Sequence, residues 1–222
     1  MAVDTKERIL DVSERLFADS GYAETSLRDI TSEAGVNLAA VNYHFGSKEA
    51  LLSAILDRRF RPINDKRIAL LDDLEETAGK KGPELEEILM AFLGPPFHSW
   101  AELGDCVQKF LKLVGQIHSE TKEDVRAAFI AQFDVVMKRF TAAMQRALPH
   151  LEPGEVEQRS VFVVGAMAHT MIWGEEMLSR STDASHDPNQ LLDSLIQFAA
   201  AGMAAPAAVG VEVGATRPRR RS

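Results

Sequence analysis

The sequence predicts an all-α chain: an N-terminal three-helix helix-turn-helix domain followed by a larger helical domain. Three observations predict it. Apolar residues recur at three- and four-residue steps in segment after segment, and no alternating strand pattern is present. Helix start and stop residues punctuate residues 25–47 at short intervals: Thr25-Ser26, Asp29, Gly35, Asn37, Gly46 and Ser47. Hydrophobic residues make up 45 % of 222 residues, enough for an ordinary core.

The first helix carries Ile9, Leu10, Val12, Leu16 and Phe17 on one face and ends at Gly21. The second starts at a capping signal, Thr25 itself or Ser26 with Asp29 three residues on. Leu27, Ile30 and Ala34 form its inward stripe, and Gly35 ends it. Asn37 caps a third, short helix, in which Leu38 and Val41 are placed to face a core. Ser47 caps the fourth, expected to run to about Phe60 and to be kinked or interrupted at Arg61-Pro62, then to resume to Glu76. Gly79-Lys80-Lys81-Gly82-Pro83 reads as a loop, followed by a helix from Pro83 to Leu93 closed by Gly94-Pro95-Pro96. Further helices are expected over Trp100–His118, Thr121–Leu148, Pro153–Leu178 and Asn189–Met203. The division is then 1–46 for DNA binding and 47–203 for effector binding and dimerisation, the first helix of the latter coupling the two. Residues 204–222, rich in Ala, Gly, Pro and finally Arg, form a tail that can bury little and is expected to be disordered.

The third helix carries the most chemistry. Ala39, Ala40 and Asn42 are small or bear an amide, as a surface must if it presses into a major groove and meets base edges. Tyr43 and His44 end the helix with polar aromatic tips suited to phosphates. Lys48 lies in the first turn of the next helix, where the N-terminal dipole already favours an anion. Thr25, Ser26, Arg28 and Asn37 complete the candidate set of DNA contacts.

The run from Glu7 to Leu52, "ERILDVSERLFADSGYAETSLRDITSEAGVNLAAVNYHFGSKEALL", resembles the DNA-binding domain of the TetR family of bacterial transcriptional regulators. The part from Thr25 to Leu51 is especially similar to the fatty-acid-responsive, PsrA-like branch. The resemblance implies a homodimer that represses transcription from double-stranded operator DNA, and a cytoplasmic location is expected from the lack of a membrane-length apolar run. The resemblance implies further that the last two long helices pair between subunits, and that a small hydrophobic effector, a long-chain fatty acid or acyl-CoA, releases the DNA.

A net charge of −8 is compatible with DNA binding only if positive charge gathers on one face. Lys6, Arg28, Lys48, Arg58 and Arg59 are candidates for that face. One cysteine, Cys106, excludes an intrachain disulfide, and no Cys or His cluster has zinc-ligand spacing. No run reaches the ~18 apolar residues of a membrane span, and no basic-then-apolar leader is present. No triad, phosphate loop or carboxylate pair supports an enzyme, and no cofactor or metal is implied. The alternatives are a regulator with a different hydrophobic effector and a helical lipid carrier with the same interior; the carrier leaves the Asn42-Tyr43-His44 surface without a use.

Two further groups stand out. Large adaptable side chains crowd the middle helices: Phe92, Phe110, Val114, Phe129, Phe133 and Met137, with Met167 and Met171. Met and Phe walls suit a flexible alkyl chain, Gly115 leaves room, and Lys112 is placed to meet an anionic head group. Each of these is more often plain core. In the last two helices, the Val161–Trp173 stretch lacks a wide polar stripe and reads as buried all round. His169, Leu192, Leu195 and Ala199 are the candidate dimer contacts in a four-helix bundle.

Overall fold

The computed structural model of the chain describes residues 4–103, 110, 113–115, 117, 123–179 and 187–207. Its regular elements are helices: α1 (Thr5–Ser20), α2 (Leu27–Ala34), α3 (Leu38–His44), α4 (Lys48–Ala78), a 3₁₀ turn (Gly79–Lys81), α5 (Leu85–Leu103), α6 (Glu123–Ala131), α7 (Asp134–Ala147), α8 (Pro153–Ser179) and α9 (Pro188–Ala204). Lys112, His118, His186 and residues 208–222 lie outside the described residues.

Local chemistry accounts for the first three helices. The Asp4 carboxylate accepts from the Lys6 amide and starts α1, which Gly21 ends with φ 91°. Ser26 and Asp29 form a reciprocal capping box at α2, and Gly35, left-handed at φ 61°, ends it. The side chain of Asn37 accepts from Ala40 at the start of α3. Ile9, Leu10, Phe17, Ile30 and Val41 meet beneath these helices, together with Leu51, Leu52, Ile55 and Leu56 of α4. The first two turns of α4 are therefore part of the N-terminal core. Phe110, Leu113, Val114, Ile117 and Val125 extend that core toward the rest of the chain.

Three helix boundaries differ from expectation, each for a visible reason. α4 is one helix of 31 residues and passes through Pro62 without interruption. Its two ends are anchored in separate cores, by Ile55 and Leu56 on one side and by Leu71 on the other, which offsets the backbone bond lost at the proline. α5 continues through Gly94-Pro95-Pro96, all three buried. Pro96 has no N–H to give the Phe92 carbonyl, and the Arg67 Nε–H donates to that oxygen instead, at 2.7 Å. The single helix expected over Thr121–Leu148 is broken at Gln132-Phe133, where two short-range backbone bonds tighten the chain. The Gln132 carbonyl so exposed accepts from the Asn64 amide of α4 at 2.8 Å.

A second core lies among α4, α5, α7, α8 and α9, with Leu71, Ile88, Leu93, Phe97, Phe140, Met144, Val156, Leu192 and Met203 inside it. α9 packs most heavily on α5. No described helix is long and apolar enough to cross a membrane.

Candidate nucleic-acid interface

α2 and α3 are joined by the Gly35 turn, and only one side of α3 is used for packing. Val41 is fully buried, whereas Ala39, Asn42 and Tyr43 face solvent, Tyr43 at 85 % exposure. Leu38 was expected in the core; it is 45 % exposed and adds an apolar contact to the outer surface. Ala40 and His44 are half-buried, and the His44 ring stands edge-on to Tyr43 at 5.1 Å. An exposed row of Leu38, Ala39, Asn42 and Tyr43 on a short helix has the dimensions and chemistry for a major groove.

The flanking candidates divide. Arg28 is exposed on α2. Ser26 and Asn37 are exposed, but their side chains hold the starts of α2 and α3. Both bonds to Ser26, from its hydroxyl and from its amide, hold the Asp29 carboxyl below the usual carboxylate range. Thr25 does not reach the surface: it is buried, and its hydroxyl donates to the Gly21 and Leu16 carbonyls at the end of α1. Its role is to fix α2 on α1.

The basic residues also separate. Arg58 donates to Glu7 at 3.1 Å, Asp11 at 2.7 Å and Glu14 at 2.5 Å, and Arg59 joins Glu14 at 2.8 Å. Both were expected on a DNA-facing side; they tie α4 to α1 instead, where opposite charges are at hand. The Lys48 ammonium donates to the Tyr22 carbonyl and sits over the Tyr22 ring at 4.3 Å. Tyr22 in turn donates its hydroxyl to Glu49 at 3.2 Å. The Glu49 carboxyl is held below the usual range by its own amide, then by the Ser47 and Tyr22 hydroxyls. The start of α4 is thus pinned to the end of α1 just below α3.

Two family descriptions match the chain. "Bacterial regulatory proteins, tetR family" covers residues 9–55, and "Tetracyclin repressor-like, C-terminal domain" covers residues 90–202, half of the chain. The chain belongs to the TetR family of transcriptional regulators. It is 28 % identical over 162 residues to the uncharacterized HTH-type transcriptional regulator YerO of Bacillus subtilis, covering 66 % of this chain and 54 % of YerO. Identity to the A-factor receptor protein of Streptomyces griseus is 31 % over 132 residues, 54 % of this chain and 47 % of that protein. The chain thus spans about half the length of these curated relatives. Among solved structures, the fatty acid degradation regulator FadR from Bacillus halodurans shares the fold at a TM-score of 0.67 and 15 % identity, covering 91 % of this chain and 97 % of that one. A regulator from Aquifex aeolicus VF5 does so at 0.55 and 24 %, covering 87 % and 96 %.

In this TetR-family chain the aromatic and methionine residues expected around an effector fall into two groups. Phe110, Phe129 and Phe133 pack edge-on around Phe60 at 5.1, 5.6 and 4.7 Å, at the junction of the two cores. Val114 is buried beside them, and a Cβ on Gly115 would meet Ile172 of α8 at 3.9 Å. Phe92, Met137, Met167 and Met171 belong to the second core, with the Phe92 and Phe140 rings 5.1 Å apart. Arg67 lies against Phe92 and Met167, 2 % exposed and absent from the sequence-based candidates. A signal for it existed: Arg67 is four residues after Ile63 and four before Leu71, on the inward stripe of α4.

The dimer candidates are rearranged as well. Leu192, Leu195 and Ala199 are buried within the subunit's own core. His169 is exposed on α8. The bare apolar side chains are Val161, Phe162 and Trp173 of α8, at 65, 62 and 48 % exposure, and Phe198 of α9 at 72 %. The stretch expected to be buried all round is therefore covered on one side only. A shallow groove of about 150 Å³ runs between the two helices, lined by Phe162, Val163, Ala166, Phe198, Ala199 and Met203.

Proposed function

We propose that this chain is a homodimeric transcriptional repressor that binds operator DNA through α3 and releases it when an apolar effector enters the C-terminal helices. The observation that carries the proposal is the outer surface of α3, where Leu38, Ala39, Asn42 and Tyr43 face solvent on a helix held rigidly from below by Val41. Base-edge contacts fall to Asn42 and the Leu38–Ala39 surface. Tyr43, Arg28 and the exposed N-terminus of α3 serve phosphates and fix register.

Two copies are needed, because a dimer on DNA must present its reading helices one turn apart, about 34–36 Å. The bare faces of α8 and α9, with Phe162 and Phe198 at their centre, support pairing with a second copy. α4 supplies the coupling: one half lies in the DNA-binding core and the other in the effector core. A ligand that shifts the second half tilts the first, and it controls DNA only by its preference for the shifted form. The Met137, Met167 and Met171 surroundings support a flexible alkyl effector, of the fatty acid or acyl-CoA kind implied by the PsrA-like sequence.

Fluorescence anisotropy with duplexes tiled across the region upstream of the chain's own gene tests the reading. Saturable, salt-sensitive binding to one duplex and not to its scrambled version is the expected result. Equal binding to every duplex, or none, rejects it.

A further inference from the structure

The partly exposed arginines Arg58 and Arg59 pair with Glu14, Arg139 with Asp72 and Arg159 with Glu155. Arg67 differs. It is the largest fully buried side chain among the described residues, and no described carboxylate lies within 4.0 Å of it. Its Nε–H donates to the Phe92 carbonyl at 2.7 Å, its Nη1 to the Asn64 amide oxygen at 3.1 Å, and its face stacks on the Phe92 ring at 4.5 Å. Among the described residues, Nη2 meets the Met167 sulfur alone, at 3.5 Å. A guanidinium carries five donors in a planar fork that matches a carboxylate, and a thioether is a weak acceptor. Burial alone pulls its pKa down to about 10, which still leaves it charged near neutral pH. A buried charge without a counterion is costly, and the two oxygen acceptors, the Phe92 carbonyl and the Asn64 amide, account for two of its five donors.

We propose that Arg67 is the anion-recognition point of the effector site, and that the effector carries a carboxylate on an apolar body. The assignment deepens, and rests on, the effector-controlled repressor reading. An incoming carboxylate takes the Nη2 edge now facing Met167, whose flexible side chain moves aside, and the alkyl body lies along Met137 and Met171. A free acid fits this point better than a coenzyme A thioester, whose carbonyl is neutral and whose phosphates sit at the far end of a long arm. The position also explains transmission. Arg67 belongs to α4, and its Nε holds α5 through the Phe92 carbonyl. A carboxylate drawing on the guanidinium acts directly on the helix that reaches the DNA-binding core.

The test is calorimetry of the full chain with straight-chain acids from octanoate to hexadecanoate, their methyl esters and their coenzyme A thioesters. Wild type, Arg67→Met and Arg67→Lys are compared, each checked by circular dichroism. At the best chain length the acid is expected to bind at least about tenfold tighter than its ester or thioester, the factor a charge-assisted hydrogen bond supplies. In Arg67→Met that ratio is expected to fall to near one through loss of acid affinity, and in Arg67→Lys to fall only part of the way. Equal binding of acid and ester by the wild type, an acid preference that survives in Arg67→Met, or no binding across the series overturns the assignment. Should Arg67→Met fail to fold, the wild-type ratio and Arg67→Lys decide it. Anisotropy of the unliganded wild type with its operator duplex separates the two readings. Intact operator binding without an acid preference rejects Arg67 alone, and absent operator binding rejects the repressor.

Discussion

Placing a carboxylate on the outer face of α9, by Phe198→Glu, is expected to separate the subunits while leaving each one folded. Phe198 is 72 % exposed in the single subunit, so its removal takes little from the subunit's own core. Burying a whole Phe side chain is worth about 1.5–3 kcal/mol, so two symmetry-related copies at this exposure contribute roughly 2–4 kcal/mol to association. The substitution also carries two unpaired carboxylates into a contact lined by Phe162, Val163 and Ala166, each costing several kcal/mol of lost hydration. The combined loss, on the order of 5 kcal/mol or more, weakens the dimer by about 10³–10⁴-fold or more. Sedimentation velocity at micromolar concentration is expected to give a dimer for the wild type and a monomer for the variant, with matching far-UV circular dichroism. Operator affinity should fall with the dimer. Leu192→Ala is the contrast: Leu192 is 2 % exposed inside the subunit, so it should lower the unfolding free energy by about 2–5 kcal/mol. A monomeric wild type, or a Phe198→Glu protein that dimerises as tightly, would refute the assignment of this face.

Three further outcomes follow from the N-terminal geometry. Asn42→Ala and Tyr43→Ala should each abolish or strongly weaken specific duplex binding with the melting temperature almost unchanged, because both side chains are exposed; a large drop in stability would show them to be packing residues. Ser26→Ala removes the α2 cap and should cost about 1 kcal/mol by urea unfolding, and it should remove part of the acid sensitivity of the fold. Asp29 and Glu49 have folded pKa values below their unfolded ones, so their contribution is present above the unfolded pKa and is lost as pH falls through the folded one. Stability that is flat with pH across the acid range would contradict this. Arg58→Met leaves Glu14, nearly buried, with Arg59 alone, and should loosen α4 from α1 by about 1–3 kcal/mol while sparing the subunit contact.

How much was legible in advance varied with the range of the interaction. Ser26 with Asp29, Asn37 with Ala40 and Ser47 with Ala50 are contacts three residues apart, and the chain shows them directly. The prolines misled because their penalty is local while the compensation is not. Pro96 frees a carbonyl that is satisfied by Arg67, 25 residues earlier in the chain and on another helix. The face of α9 was ambiguous because Leu192, Leu195 and Ala199 form one apolar stripe and Phe198 lies off it; periodicity marks both as apolar without saying which one turns inward.

By itself, the sequence determined the starts of α2, α3 and α4, the helix-turn-helix order and the outward placement of Ala39, Asn42 and Tyr43, since caps, glycines and short spacings act within one or two turns. The tertiary structure alone decided where the charges went: Arg58 to α1, Lys48 to the Tyr22 carbonyl, and Arg67 into an apolar core with no described carboxylate beside it. The reason is that a long charged side chain takes its partner from whichever helix packs beside it, and that neighbour is set by burial of the apolar stripes across the whole chain.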